Sequence, residues 1–402
     1  MQKKFTLFFV ILLSIGFLTG CWDRQELNDI ALIIGSAVDQ AEDGAILGTV
    51  QIVVPSLSGG GTMGKTTPPS FFIATSSGKD FSEVIQKTQK NVSRRLFRGH
   101  RQVLFIGEKY AKNGVSDILD SITRDPESRL RTDVIIVKGS DAKNILSAQY
   151  PFEPVSSIAA LKQHLALGIE GSATLRNFLI AASTDGSSPT LSAMELNANS
   201  SPDKGQIQLA GSQFKKNGFQ MAGTAVFNKQ LKLVGYVDNG ESGLLNWITQ
   251  YQKRITISTT EPTFGRFGFV ATNTGSKISA EIHRTRIKFY VTLTGEGVIN
   301  ENNTKLDLME TKNLRKLEQT LNDETKKRTL QMIKKVQKKY GTDILGFGEV
   351  VHRQFPYQWK AMKKNWEHEF AKAEVEVNVI LKVKRVGLTG PSLQLRKGEI
   401  LK

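Results

Sequence analysis

The chain holds one cysteine in 402 residues, so it can close no internal disulfide and its fold must rest on packing alone. Beyond residue 20 it has no apolar run near the roughly 20 residues that a spanning helix needs, which predicts no transmembrane helix in the mature chain. Histidine is sparse and scattered: His100, His164, His283, His352 and His368 show no metal-ligand spacing. His368-Glu369 begins like a zinc-protease helix, but Lys372 stands where the second histidine belongs. Each histidine therefore reads as a surface residue or a satisfied core residue. There is no G-x-S-x-G elbow and no internal repeat. With no catalytic constellation, metal set or cofactor to name, the sequence reads as non-enzymatic.

What is present begins at the amino terminus. Lys3 and Lys4 precede an almost wholly apolar stretch from Phe5 to Leu18, followed by Leu18-Thr19-Gly20-Cys21. A positive start, a short apolar run and small residues before a cleavage point mark residues 1–20 as a secretory signal peptide. The Leu-x-Gly-Cys ending resembles the bacterial lipobox, in which the cysteine is lipidated with diacylglycerol and becomes the first mature residue. The plainer reading is an ordinary signal with a chance cysteine; the placing of the sole cysteine at the cleavage point argues against it. One acyl chain holds a protein reversibly, at about 10⁴ M⁻¹, and two make the anchor stable. The formal charge falls from +16 to +14 once Lys3 and Lys4 leave with the signal, since no acid goes with them. Export disfavours nucleic acid as the partner of that charge. Two readings stay open: a basic surface over anionic phospholipid, where each cation contributes about 1 kcal/mol within a Debye length, or a charge that serves solubility alone.

Gly59-Gly60-Gly61-Thr62-Met63-Gly64-Lys65-Thr66 fits the P-loop pattern literally. That motif works because a helix begins at Gly-Lys-Thr and aims its N–H groups at phosphate. Here Thr67 precedes Pro68 and Pro69, which push the backbone out of the α region and remove donors. The run therefore reads as a loop, not a nucleotide site.

The pattern along the chain predicts an α+β fold with two unlike halves: an N-terminal domain over 21–200 and a C-terminal domain over 205–395, the latter divisible into two subdomains. Strands are expected at Ile30–Val38, Ile46–Val54, Phe71–Thr75, Val103–Ile106 and Val134–Val137, and helices at Asp80–Leu96, Val115–Ile122, Val155–Leu167 and Thr174–Ala182. Asp141 is placed to cap a helix ending near Ala148. Polar breaks at Asp185–Pro189 and Asn197–Lys204 mark a boundary. The second half predicts strands at Gln206–Phe214, Phe219–Phe227 and Leu231–Val237, then a helix at Leu244–Tyr251. Strands follow at Ile255–Ser258, Gly265–Thr272, Ile278–Ile282 and Ile287–Leu293. A long basic helix runs over Leu306–Tyr340, and a short one starts near Thr342 or Asp343. Glu374–Val383 alternates as a half-buried strand. Trp359, Met362, Trp366 and Phe370 recur at helical spacing, a stripe that reads as a core face before it reads as a membrane dock.

Several of these segments carry a resemblance. Gly20-Cys21-Trp22-Asp23-Arg24-Gln25-Glu26-Leu27, Arg98-Gly99-His100-Arg101-Gln102, Thr123-Arg124-Asp125-Pro126-Glu127, Gly223-Thr224-Ala225-Val226-Phe227 and Asp343-Ile344-Leu345-Gly346-Phe347-Gly348 stand in the order found in the Ger(x)C spore-germination lipoproteins. The chain resembles that family over nearly its whole mature length. The resemblance implies a multi-domain α+β fold with mixed sheets and no catalytic residues. It also implies a role as the C subunit of a nutrient germinant receptor. Such a subunit is lipid-anchored at Cys21 on the outer face of the spore inner membrane, beside integral-membrane A and B subunits. It leaves open whether this subunit touches the nutrient. Arg98, His100 and Asp343 are the residues expected to contact a partner. A lipoprotein solute-binding protein or exported enzyme is the alternative, but the former would show two similar lobes. Calorimetry of the purified chain with ATP is expected to show no binding; micromolar binding lost in Lys65→Ala would restore the nucleotide site.

Overall fold

The computed structural model describes residues 26, 29–53, 71–148, 150, 152–169, 171–197, 218–284, 286–388 and 390–399. Cys21, the glycine-rich run at 59–66 and the strand expected over Gln206–Phe214 lie outside the described residues. No helix among the described residues is long and apolar enough to cross a membrane. Among the described residues the fold is mixed α+β with two sheets.

The first sheet opens with the meander β1 (Ile30–Gln40), β2 (Ile46–Val53) and β3 (Phe71–Gly78). After α1 (Phe81–Lys90) the chain adds β4 (Arg95–Phe97), β5 (Val103–Gly107), α2 (Glu108–Asn113), α3 (Ser116–Arg124) and β6 (Asp133–Val137). Next come α4 (Lys143–Leu146), α5 (Ser156–Ala166), α6 (Leu175–Ser183), β7 (Thr190–Leu196), β8 (Phe219–Phe227) and β9 (Leu233–Val237). The strand order is β3-β2-β1-β5-β6-β7-β8-β9, with β4 also on β1. β1, β5, β6 and β7 run parallel in the middle, and antiparallel pairs flank them. Parallel strands must be covered on both faces, and these are. In β5, Leu104 and Ile106 join a core with Ile118, Ile122 and Phe178, while Val103 and Phe105 pack with Ile145, Leu146 and Ala160.

Two departures from the sequence reading have side-chain causes. The helix expected through Leu96 stops at Lys90, because the Gln89 amide donates to the Val92 and Arg94 carbonyls and accepts from the Leu96 N–H. Leu96 is thereby freed to pair with Ala31 on β1. The cap expected from Asp141 comes instead from Asp39, at the far end of β1, which accepts from the Ala142 and Lys143 N–H groups at 2.7 and 2.9 Å. The first sheet also includes β8 and β9, which follow residue 205.

The second sheet follows α7 (Asn239–Ile248) and holds β10 (Ile255–Glu261), β11 (Gly265–His283), β12 (Arg286–Thr304) and β13 (Glu374–Arg385), in the order β10-β11-β12-β13. β11 was expected as two strands; irregularities at Gly268/Phe269 and Ala271/Asn273 absorb the interruption and the ladder continues. β13 alternates as the sequence predicts, with Val377, Val379 and Leu381 buried and the residues between them exposed. The long helix α8 (Thr311–Lys339) packs along this edge strand, where Asn322 accepts from the Leu381 N–H and Glu318 from the Val383 N–H, each at 2.8 Å. Side chains of the helix thus close a strand edge that would otherwise present free donors. Between α8 and β13 come α9 (Phe347–Gln354), α10 (Pro356–Met362) and α11 (Trp366–Lys372). Trp359, Trp366 and Phe370 are buried in the core, so that stripe is a packing face.

One buried side chain ties β2 to two helices. Gln51 is fully buried; its amide donates to the Leu146 carbonyl and Ser156 Oγ, both at 2.9 Å, and its Oε1 accepts from the Ser157 hydroxyl at 2.6 Å. Gln51→Leu keeps the volume but strands these groups, and chemical denaturation is expected to show a loss of about 2–4 kcal/mol.

Candidate functional site

Two of the segments singled out by sequence meet at one corner of the first sheet. β4 and β5 both pair with β1, and Arg98–Gln102 spans the gap between them, with the Gln102 N–H donating to the Ile34 carbonyl at 2.8 Å. Arg98 grips Asp125 with both arms, Nε to Oδ2 at 2.6 Å and Nη2 to Oδ1 at 3.2 Å. Its own N–H donates to Glu127 at 3.0 Å, and Glu127 also pairs with Arg95 at 2.9 Å. The bond to Asp125 raises Arg98 above its ordinary value. Burial opposes ionisation of Asp125, but the Arg98 fork and the Glu127 N–H outweigh it and hold the carboxyl below the usual range. Arg98 is thus committed to holding Thr123–Glu127 against the sheet. His100 is exposed and its ring lies 5.4 Å from that of Phe97, so this corner presents an aromatic pair to solvent.

Asp343 forms a second centre, at the seam between the two sheets. It is 1% exposed and so offers no surface to a partner. Its Oδ1 accepts from the N–H groups of Leu345, Gly346 and Phe347, and Oδ2 from the Gly348 N–H at 2.7 Å and the Trp366 indole at 3.0 Å. Burial pushes its carboxyl up to about 6, and the backbone and indole donors pull the other way. The helix expected to start here begins at Phe347, with Gly346 as its cap at φ 75. Asp343 therefore serves the first turn of α9 from three residues ahead of the cap. That turn docks on the polar break of the first half. The Ser188 N–H donates to the Asp343 carbonyl at 2.6 Å, Thr342 Oγ1 to Ser188 Oγ at 2.6 Å, and the Gly186 N–H to Glu349 at 3.2 Å. Gly186 and Gly348 touch backbone to backbone: a Cβ on Gly186 would lie 2.5 Å from the Gly348 carbonyl carbon. Lys229 completes the seam by donating to the Thr184 and Ser187 carbonyls; burial lowers its pKa, while Asp343, Asp185, Glu367 and Glu349 act to raise it.

Sequence reasoning missed Lys229 and Ser188, which carry no motif. It read His164 as a surface or core histidine, and the core is where it lies. It bridges Asp133 at 3.3 Å and Ser192 at 3.1 Å across β6, α5 and β7, all three side chains being buried.

The chain matches two family descriptions in tandem: "Spore germination protein N-terminal domain" over residues 23–196 and "Spore germination B3/ GerAC like, C-terminal" over residues 222–387. It is 27% identical to Spore germination protein KC of Bacillus subtilis, covering 96% of this chain and 97% of that one. It is 24% identical to Spore germination protein GerQC of Bacillus cereus, covering 96% and 100%. The crystal structure of the GerBC protein shares the fold, with a TM-score of 0.58 at 18% identity, over 90% of this chain and 100% of that one.

Asp343→Asn turns one acceptor oxygen into a donor that faces donors. Thermal denaturation at neutral pH is expected to show a loss of about 3 kcal/mol, with Trp366→Phe costing about 1 kcal/mol.

Proposed function

Because the chain belongs to the Ger(x)C family of spore germination proteins, we propose that it is the lipid-anchored C subunit of a nutrient germinant receptor. It acts without catalysis, on the outer face of the spore inner membrane, together with integral-membrane A and B subunits. The observation that carries the reading is the lipobox-like Leu18-Thr19-Gly20-Cys21 directly ahead of the family match. Diacylglycerol on Cys21 moors the body, and the tether holds it at high effective concentration beside its partners, so weak contacts suffice.

The same tether favours the Arg98 corner as the partner-facing surface. Ile30 lies nine positions after Cys21, a span of at most about 30 Å, and Ile30 pairs with Arg95 at the edge of that corner. Within Arg98-Gly99-His100, His100 is the exposed member and the one open to a partner; Arg98 acts behind it by holding the loop, and Asp343 acts at the seam. A solute-binding protein is disfavoured by the unlike halves, one sheet covered on both faces and the other closed by a long helix.

Spores carrying Cys21→Ala are expected to lose the protein from the inner-membrane fraction and with it the response to one class of nutrient. His100→Ala should leave the protein in the membrane but reduce its co-purification with the A and B subunits. Normal germination by Cys21→Ala spores, with the protein absent from membranes, would sink the proposal.

A further inference from the structure

Behind the Arg98 corner lies a buried cation with no counter-ion of its own among the described residues. Arg101 is 8% exposed, and Arg98 already takes both oxygens of Asp125, the carboxylate that bears on it. Arg101 forms no ion pair among the described residues. Its Nη2 donates to Ser128 Oγ at 3.1 Å, and its Nε–H meets no acceptor among the described residues. Burial draws the guanidinium down to about 10, so it remains charged at neutral pH. An uncompensated buried charge costs several kcal/mol, and well-packed apolar side chains commonly replace buried ions at no loss. Packing alone therefore gives no reason for an arginine here.

A cavity of about 80 Å³ adjoins it. Ile33, Val50, Phe81, Val84, Ile118 and Ile122 furnish apolar walls from β1, β2, α1 and α3, and Arg98, Arg101 and Asp125 also line it. At roughly 10–15 Å³ for each water-sized group, the space takes about five to eight non-hydrogen atoms. One positive charge is left over, on a planar group whose Nε and Nη2 are spaced for a carboxylate.

We propose that this cavity binds a small aliphatic monocarboxylate, its carboxylate on the Arg101 guanidinium and its hydrocarbon chain between the first sheet and helices α1 and α3. The ligand supplies the charge that Asp125 cannot give while Arg98 holds it, and its chain fills a space whose apolar walls suit it. The inference concerns the interior of the first half and does not rest on the receptor reading.

Calorimetry of the purified chain with 4-methylpentanoate tests it, with 4-methylpentan-1-ol as the neutral analogue of the same shape. The acid is expected to bind, and the alcohol to bind at least about tenfold more weakly, since it forfeits the charge-assisted pair. Arg101→Met should lose at least the same factor while melting no lower than the unaltered chain. No binding of the acid, equal binding of acid and alcohol, or undiminished binding by a folded Arg101→Met overturns the proposal. Should that variant fail to fold, the acid-against-alcohol comparison on the unaltered chain decides alone.

Discussion

Five N–H donors converge on the Asp343 carboxylate, and the seam between the two sheets depends on that convergence. A single net hydrogen bond contributes only about 1 kcal/mol, but leaving a buried donor unmet costs about 1–3 kcal/mol, and in a low-dielectric interior the members of such a network strengthen one another. The carboxylate fixes the turn from Ile344 to Gly348. The turn in turn brings the Gly348 backbone against Gly186 and the Asp343 carbonyl against the Ser188 N–H. Without the turn, Phe347 would lose its place in the aromatic cluster, where its ring stacks on Phe289 at 4.3 Å and meets Phe370 at 5.9 Å. One acid thus sets the start of a helix, the packing of a core and the contact between two halves of the chain.

What could be read from sequence follows how local each determinant is. The alternation in β13 was legible because one face is buried and the other wet, which leaves a period of two. The stop of α1 was not, because its apolar spacing continues to Leu96 and only the Gln89 side chain diverts the backbone. Capping of α4 by Asp39 was hidden for the opposite reason: donor and acceptor lie about a hundred positions apart, whereas Asp141 looked right because it is adjacent. The site divides in the same way. Arg98-Gly99-His100 was visible as a motif, and so was Thr123–Glu127, but nothing in either says that the two form one ion-paired unit. Asp343 was expected at a helix start and as a partner contact; the helix begins at Phe347, and the carboxylate is buried beneath its first turn. Arg101 belongs to a flagged motif, yet its isolation follows from Arg98 having taken Asp125, a competition that only the folded geometry displays.

The corner and the seam divide the labour between them. At the corner, Arg95, Arg98, Asp125 and Glu127 satisfy one another and the Arg95 guanidinium also lies over the Phe97 ring, so the loop that carries His100 is stiffened. At the seam, the contacts are largely backbone and buried, which suits a fixed joint better than a hinge. A partner pressing on His100 would therefore meet a loop tied to β1 and β6 rather than a mobile tip, and the ordering cost of binding there would be small.

Magnitudes decide what would hold such a body to a bilayer. Exposed lysines crowd the outer face of α8, among them Lys326, Lys327, Lys334 and Lys338. Each would contribute about 1 kcal/mol near an anionic surface, and only within a Debye length of about 8–10 Å. They can act only after something else has brought the protein that close. A diacylglyceryl group on Cys21 would supply a stable anchor at any ionic strength, and the nine positions to Ile30 would keep the start of β1 within about 30 Å of it. The lipid would then determine whether the protein stays at the membrane, and the basic face would determine only how it turns there. On that ordering of forces the corner of β1 and β4 would stay near the membrane in every orientation, because covalent bonds and strand pairing, rather than charge, would fix it to such a tether.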